Sequence, residues 1–148
     1  MADEDPAAVF FTKGLDALAR GEWTSALSCF EKASRILNIP VHNSFLALCI
    51  AKERGQFKKA ISLCSEALEA EPGNPLHYLN LGRVYLLQGK AEEAIEIFRR
   101  GLNREANEQI IAELKKLGTR RPPPLAFLQR DNPLNKYLGI ILTKIGLR

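Results

Sequence analysis

Apolar residues along this chain recur with the spacing of helices rather than strands, and the helical runs themselves recur. Helices are predicted at about 7 to 19, 23 to 37, 41 to 53, 57 to 70, 75 to 87 and 91 to 103. A shift of 34 residues lays the chain on itself: Gly21, Gly55 and Gly89 fall in register, as do Ala26, Ala60 and Ala94, then Phe30, Cys64 and Phe98, then Ala33, Ala67 and Gly101. Four columns at one period indicate a repeated supersecondary unit.

Each column has a physical reason. The glycines separate two apolar runs, where a left-handed residue ends one helix and starts the bend to the next. The alanines recur where paired antiparallel helices cross, and a methyl group permits a short interaxial distance. Phe30 and Phe98, one turn further on the same face, would fill the space between neighbouring pairs, and Cys64 would fill it less. Asn74-Pro75 reads as an N-cap followed by a first-turn proline.

A seventh helix is predicted at about 108 to 117, capped by Asn107 and stopped by Gly118. Its Ile110, Ile111, Leu114 and Leu117 would cover the open end of the last pair. Arg120-Arg121-Pro122-Pro123-Pro124 is not helical and reads as an extended spacer. Asn132-Pro133 opens a last helix of about 133 to 146, on which Leu134, Tyr137, Leu138, Ile141, Leu142 and Ile145 form one apolar stripe. Full burial of those six side chains is worth on the order of 10 kcal/mol, so the stripe needs a docking site. Folding back on the chain's own solenoid is the favoured expectation; exchange between two copies in a homodimer, a separate partner and a membrane surface remain as alternatives.

In the third unit Tyr78, Leu81-Gly82, Tyr85, Ala94 and Phe98 stand at the spacings of W-x2-L-G-x2-Y and A-x3-F, and the chain thereby resembles the tetratricopeptide repeat family. The first unit keeps Phe10, Gly14, Ala26, Phe30 and Ala33, with Lys13 and Ala17 in place of the usual Leu and Tyr. The second departs most, carrying Ser44, Ala47, Leu48 and Ala51 in its first helix, and rests on Gly55, Phe57, Ala60, Ala67 and Pro72. The resemblance covers about residues 7 to 105. Residues Pro122 to Gly139 also look like the tails of some small bacterial repeat proteins of this type. The implied fold is an all-α right-handed solenoid of three helix pairs with a capping helix and a C-terminal amphipathic helix. The segments are then an acidic stretch at 1 to 6, the solenoid with its cap at 7 to 117, the spacer at 118 to 131 and the last helix at 132 to 148.

The resemblance also implies a function, that of a scaffold or adaptor holding another protein in a concave groove lined by the first helix of each pair. By register the groove positions are Ala8, Phe11, Thr12, Leu15 and Leu18, then His42, Phe45, Leu46 and Cys49, then Leu76, Leu79, Asn80 and Arg83. Family members that clamp a C-terminal carboxylate use Lys, Arg and Asn at such places. Here only Asn80 and Arg83 qualify, so the groove suits an apolar peptide or an amphipathic helix instead. The apolar groove and the apolar stripe of the last helix could cover each other.

Composition narrows the remaining classes. Hydrophobic residues at 46% and charged residues at 26% are ordinary for a folded chain. No apolar run approaches a membrane span, and the start Met1-Ala2-Asp3-Glu4-Asp5-Pro6 is acidic, so the expected address is cytoplasmic. The net charge of +4 is concentrated in the tail, where Arg120, Arg121, Arg130, Lys136, Lys144 and Arg148 face only Asp131. That basic excess leaves nucleic acid or an anionic surface as the alternative partner, on a thin footprint. Cys29, Cys49 and Cys64 form no C-x-x-C pair and read as small core residues rather than a disulfide or zinc set.

No enzyme signature is complete. Gly89-Lys90 is followed by Ala91 and lacks the upstream glycine of a phosphate loop. His42 and His77 belong to no metal or nucleophile motif and read as surface or groove residues. Glu92, Glu93 and Glu96 read as a solvated face paired with Arg99 or Arg100. No cofactor or metal is implied.

Overall fold

The computed structural model describes residues 4–120. Among them the backbone forms seven helices and no strand: α1 (Pro6–Ala19), α2 (Trp23–Ile36), α3 (Pro40–Arg54), α4 (Phe57–Ala70), α5 (Pro75–Leu87), α6 (Ala91–Arg104) and α7 (Glu108–Arg120). The helices pair as α1 with α2, α3 with α4 and α5 with α6; α2 packs on α3, α4 on α5 and α7 on α6. This is the all-α repeat solenoid expected from the 34-residue period.

Local chemistry sets the helix ends. Asp5 accepts from Ala7 N at 3.0 Å and Asn74 from Leu76 N at 3.0 Å, each capping a helix that opens on proline. The predicted acidic segment therefore already enters α1 at Pro6. Gly21, Gly55 and Gly89 adopt φ of 74°, 63° and 81° and supply the left-handed bends. In the outer pairs the chain reverses with two bonds, Glu22 N to Ala17 O and Gly21 N to Leu18 O, matched by Lys90 N to Tyr85 O and Gly89 N to Leu86 O. The middle pair uses Gly55 N to Ala51 O and Phe57 N to Gly55 O instead.

Ala26, Ala60 and Ala94 are fully buried at the crossings, as are Phe30, Cys64 and Phe98. Two apolar clusters follow. One gathers Ala17, Ala26, Leu27, Phe30, Phe45, Cys49 and Ile50; the other runs from Ala47 and Leu48 through Phe98 to Ile110 and Leu114 of α7. Trp23, Leu63 and Leu76 pack against both, which makes the core continuous along the repeat. Burying each of the two phenylalanine rings contributes about 3 kcal/mol.

Two expectations are corrected. Gly118 does not stop α7: it is buried within the helix, which continues to Arg120, and glycine is as free to adopt the helical region as the left-handed one. His42 and His77 are not surface residues, being 4% and 0% exposed. The spacer expected at 118 to 131 loses Gly118, Thr119 and Arg120 to α7; its residues from 121 onward and the helix predicted at 132 to 148, with Leu134, Tyr137, Leu138, Ile141, Leu142 and Ile145, lie outside the described residues.

Candidate functional site

The polar chemistry of the interior converges on Ser44 of α3. Its Oγ lies 2.9 Å from His77 Nδ1, and His77 Nε2 lies 2.6 Å from Glu71 Oε1. Asn80 Nδ2 donates to the same Ser44 Oγ at 3.2 Å. With Glu71 ionised, Nε2 carries the imidazole proton and donates, leaving Nδ1 to accept the serine hydroxyl. A serine, imidazole and carboxylate in this order could activate a nucleophile if a substrate reached it. Ser44 and His77 are both wholly buried, so the network instead ties α3 to α5 and to the loop before α5. The Glu71 carboxyl is held below its usual range, first by the hydrogen bond from His77; partial burial opposes this, and Asn74 adds a further bond. Among the described residues Asn80 Oδ1 is buried without a partner.

Burial also fixes the thiols. Cys49 and Cys64 are pushed up to about 12 by removal of the thiolate from water, Cys49 additionally by the nearby Glu53 and Cys29. No group of three or more His, Cys, Asp or Glu is placed to hold a metal ion among the described residues.

A cavity of about 340 Å³ opens where the first helices of all three pairs meet α7. Leu18 of α1, Leu48 of α3, Leu86 and Leu87 of α5 and Trp23 at the start of α2 line it, together with Arg83 of α5 and Glu113 of α7. Arg83 Nε is bonded to Glu113 Oε1 at 3.1 Å, with only 29% and 12% of the two side chains exposed. The two charged groups of the lining therefore answer each other, and the remaining surface is leucine and indole. Lys52 Nζ sits over the Trp23 ring, 5.6 Å from its centre. A second cavity, of about 480 Å³, touches α2, α3 and α4 and is lined by charges of both signs, with Glu31 bonded to Arg54 at 2.8 Å.

The residues that register placed in the groove do not share one environment. Phe45, Cys49, Leu79 and Asn80 are interior, at 6%, 0%, 1% and 0% exposure. Phe11, His42 and Phe45 form one aromatic group with Phe30, with ring centroids 5.0 to 5.7 Å apart, and His42 Nδ1 is 2.9 Å from Leu37 O. Leu15 is exposed, and Leu76 is half-buried against both clusters. Leu18 and Arg83 reach the cavity. The sequence reading stopped the α5 register at Arg83; one further turn would have given Leu86 and Leu87. Trp23 carried no register signal because it opens a second helix.

The comparisons agree with this geometry. Two profiles described as tetratricopeptide repeat match residues 11–75 and 51–117. The solved structure of the first TPR of Spaghetti (RPAP3) bound to HSP90 peptide SRMEEVD is 25% identical, with a TM-score of 0.60 over 80% of this chain and 98% of that one. The first TPR domain of human RPAP3 is also 25% identical, with a TM-score of 0.61 over 77% and 91%. The Sgt2 TPR domain from Aspergillus fumigatus shares the fold at 20% identity, with a TM-score of 0.62 over 80% and 81%. No curated protein is significantly similar to the chain. Three units in register, the left-handed glycines between paired helices and two overlapping profile matches show that this chain belongs to the tetratricopeptide repeat family.

Proposed function

We propose that the chain is a protein-interaction adaptor whose cavity takes the apolar face of a helix from a partner protein. The observation that carries this reading is the cavity lining: Leu18, Trp23, Leu48, Leu86 and Leu87 around an Arg83–Glu113 pair that is already internally neutralised. Such a surface rewards apolar side chains and leaves no free charge at which to fix a carboxylate or phosphate. Its volume, about 340 Å³, is at the lower end for ligand pockets and fits a few anchoring side chains rather than a large cofactor.

Trp23 is the only tryptophan, so its emission reports occupancy without a label. A synthetic amphipathic helix with leucines at i, i+3, i+4 and i+7 should change that emission saturably. The titration is run on the full chain and on the chain carrying Leu138→Asp with Ile141→Asp, so that the chain's own apolar stripe does not compete. Leu87→Asp should weaken binding at least about tenfold, roughly 1.4 kcal/mol, with helicity by circular dichroism retained. Absence of a saturable change in both forms would overturn the reading.

A further inference from the structure

The cavity has a candidate occupant in the same polypeptide. We propose that residues 133 to 146 seat the stripe Leu134, Tyr137, Leu138, Ile141, Leu142 and Ile145 in the cavity of their own chain, so that a partner helix binds by displacing them. This rests on the reading of the cavity as a site for an apolar helix face.

Reach is the first argument. Glu113 lines the cavity and α7 ends at Arg120, roughly 10 Å further along the axis at 1.5 Å per residue. Residues 121 to 132 extend to at most about 40 Å, whereas a compact unit of this size has a radius of gyration of only about 13 Å. The tether thus spans from the end of α7 to any part of the cavity and is not long enough to stray far from it.

Charge is the second argument. Arg83 and Glu113 are bonded to each other, so an occupant needs no charge on its contact face. The stripe has none; Lys136 and Lys144 lie outside it. The third argument concerns where the stripe finds a site first. A short tether holds it at an effective concentration on the order of 1 mM, about a thousandfold above a second copy present at micromolar concentration. Closure within one chain therefore outcompetes exchange between two, and a partner peptide meets an apparent affinity lowered by about a hundredfold if the stripe's intrinsic Kd is near 10 µM.

The test uses the full chain and the quenching of Trp23 by acrylamide. Leu138→Asp with Ile141→Asp should raise the quenching constant at least twofold and tighten binding of the synthetic amphipathic helix at least tenfold. Thr143→Asp, on the opposite side of the helical stripe, should leave both unchanged. Equal quenching in the wild-type chain and the double variant overturns the proposal. So does light scattering that shows a wild-type dimer dissociated by the double substitution, which would mean exchange between copies. Enhanced quenching without peptide binding sinks the adaptor reading and leaves the internal contact standing. Peptide binding with unchanged quenching does the reverse.

Discussion

Gly82 and Phe98 share one volume: a methyl group built on Gly82 would lie 2.1 Å from Phe98 Cε1. Gly14 and Phe30 repeat the relationship in the first unit, at 2.6 Å. The second unit holds Leu48 and Cys64 at the corresponding places, both buried in one cluster. Bulk has moved from the second helix of the pair to the first, so the departure from the family pattern at Leu48 and the small residue at Cys64 compensate each other.

That compensation predicts coupling. Cys64→Phe alone overpacks the middle pair and should lower stability by about 1–3 kcal/mol. Leu48→Gly alone opens a cavity and adds the helix cost of glycine, together about 3 kcal/mol or more. The double substitution recreates the glycine and phenylalanine of the outer units and should be milder than the sum by about 1–3 kcal/mol. Urea denaturation of the four proteins measures the difference, and simple additivity would show that the two sites do not share space.

Ser44→Ala tests the buried network. The substitution removes the partner of His77 Nδ1 and of Asn80 Nδ2 while leaving both buried. Stability should fall by about 1–3 kcal/mol, the cost of leaving buried polar groups unpaired. Denaturation with an unchanged midpoint would mean that the interior polar groups find other partners.

The outer units were legible because their constraints are local and repeated. Glycine at a left-handed bend and alanine at a crossing each leave a mark at a fixed offset, and Gly21, Gly89, Ala26 and Ala94 carry it. The network around Ser44 left no such mark, since His77, Glu71 and Asn80 meet it only after α5 packs on α3. For the same reason His42 and His77 read as surface or groove residues although both are buried. The α7 boundary failed differently: a glycine permits a helix end without requiring one, and Gly118 lies buried inside a helix that continues to Arg120. In the site, register found Leu18 and Arg83 and missed Glu113, whose approach to Arg83 depends on how α7 docks.

The His77 bond gives Glu71 a defined pH signature. A carboxyl whose folded value is lowered contributes stability that is present above its ordinary value of 4.5 and disappears as pH falls through the lowered value. Glu71→Gln should therefore lower the urea midpoint slightly at neutral pH, and the gap to the wild-type chain should close in acid. Glu71 is 45% exposed, so the effect is small. A gap that widened on acidification would contradict the assignment of the proton to His77 Nε2.

Thiol chemistry should distinguish the three cysteines. Cys49 and Cys64 are buried, with thiols pushed up to about 12, whereas Cys29 is only partly buried. In the native chain an aromatic disulfide reagent at mildly alkaline pH should modify Cys29 first, and the other two at the rate of opening of the fold. Cys29→Ser should abolish the fast phase. A fast phase that survived this substitution would place Cys49 or Cys64 nearer to solvent than the packing allows.

The peptide SRMEEVD held by one structural neighbour provides the sharpest contrast for the groove. That peptide carries two glutamates and an aspartate against a single arginine. At the positions that register assigns to a groove stand Phe11, Leu15, Leu46 and Leu76, and Arg83 is engaged by Glu113 at 3.1 Å. On the proposed apolar reading of the cavity, the shared fold is not expected to bring this ligand with it. Calorimetric titration of the chain with SRMEEVD should give a Kd weaker than about 1 mM, less than roughly 4 kcal/mol of binding. Glu113→Gln removes the carboxylate that Arg83 shares with Lys116, which lies 3.8 Å from it, and should improve that affinity by no more than about tenfold, because partly exposed ion pairs contribute only about 1 kcal/mol. Micromolar binding by the wild-type chain would show that a carboxylate site exists which the Arg83–Glu113 pair does not reveal, and the apolar reading of the cavity would lose its main support.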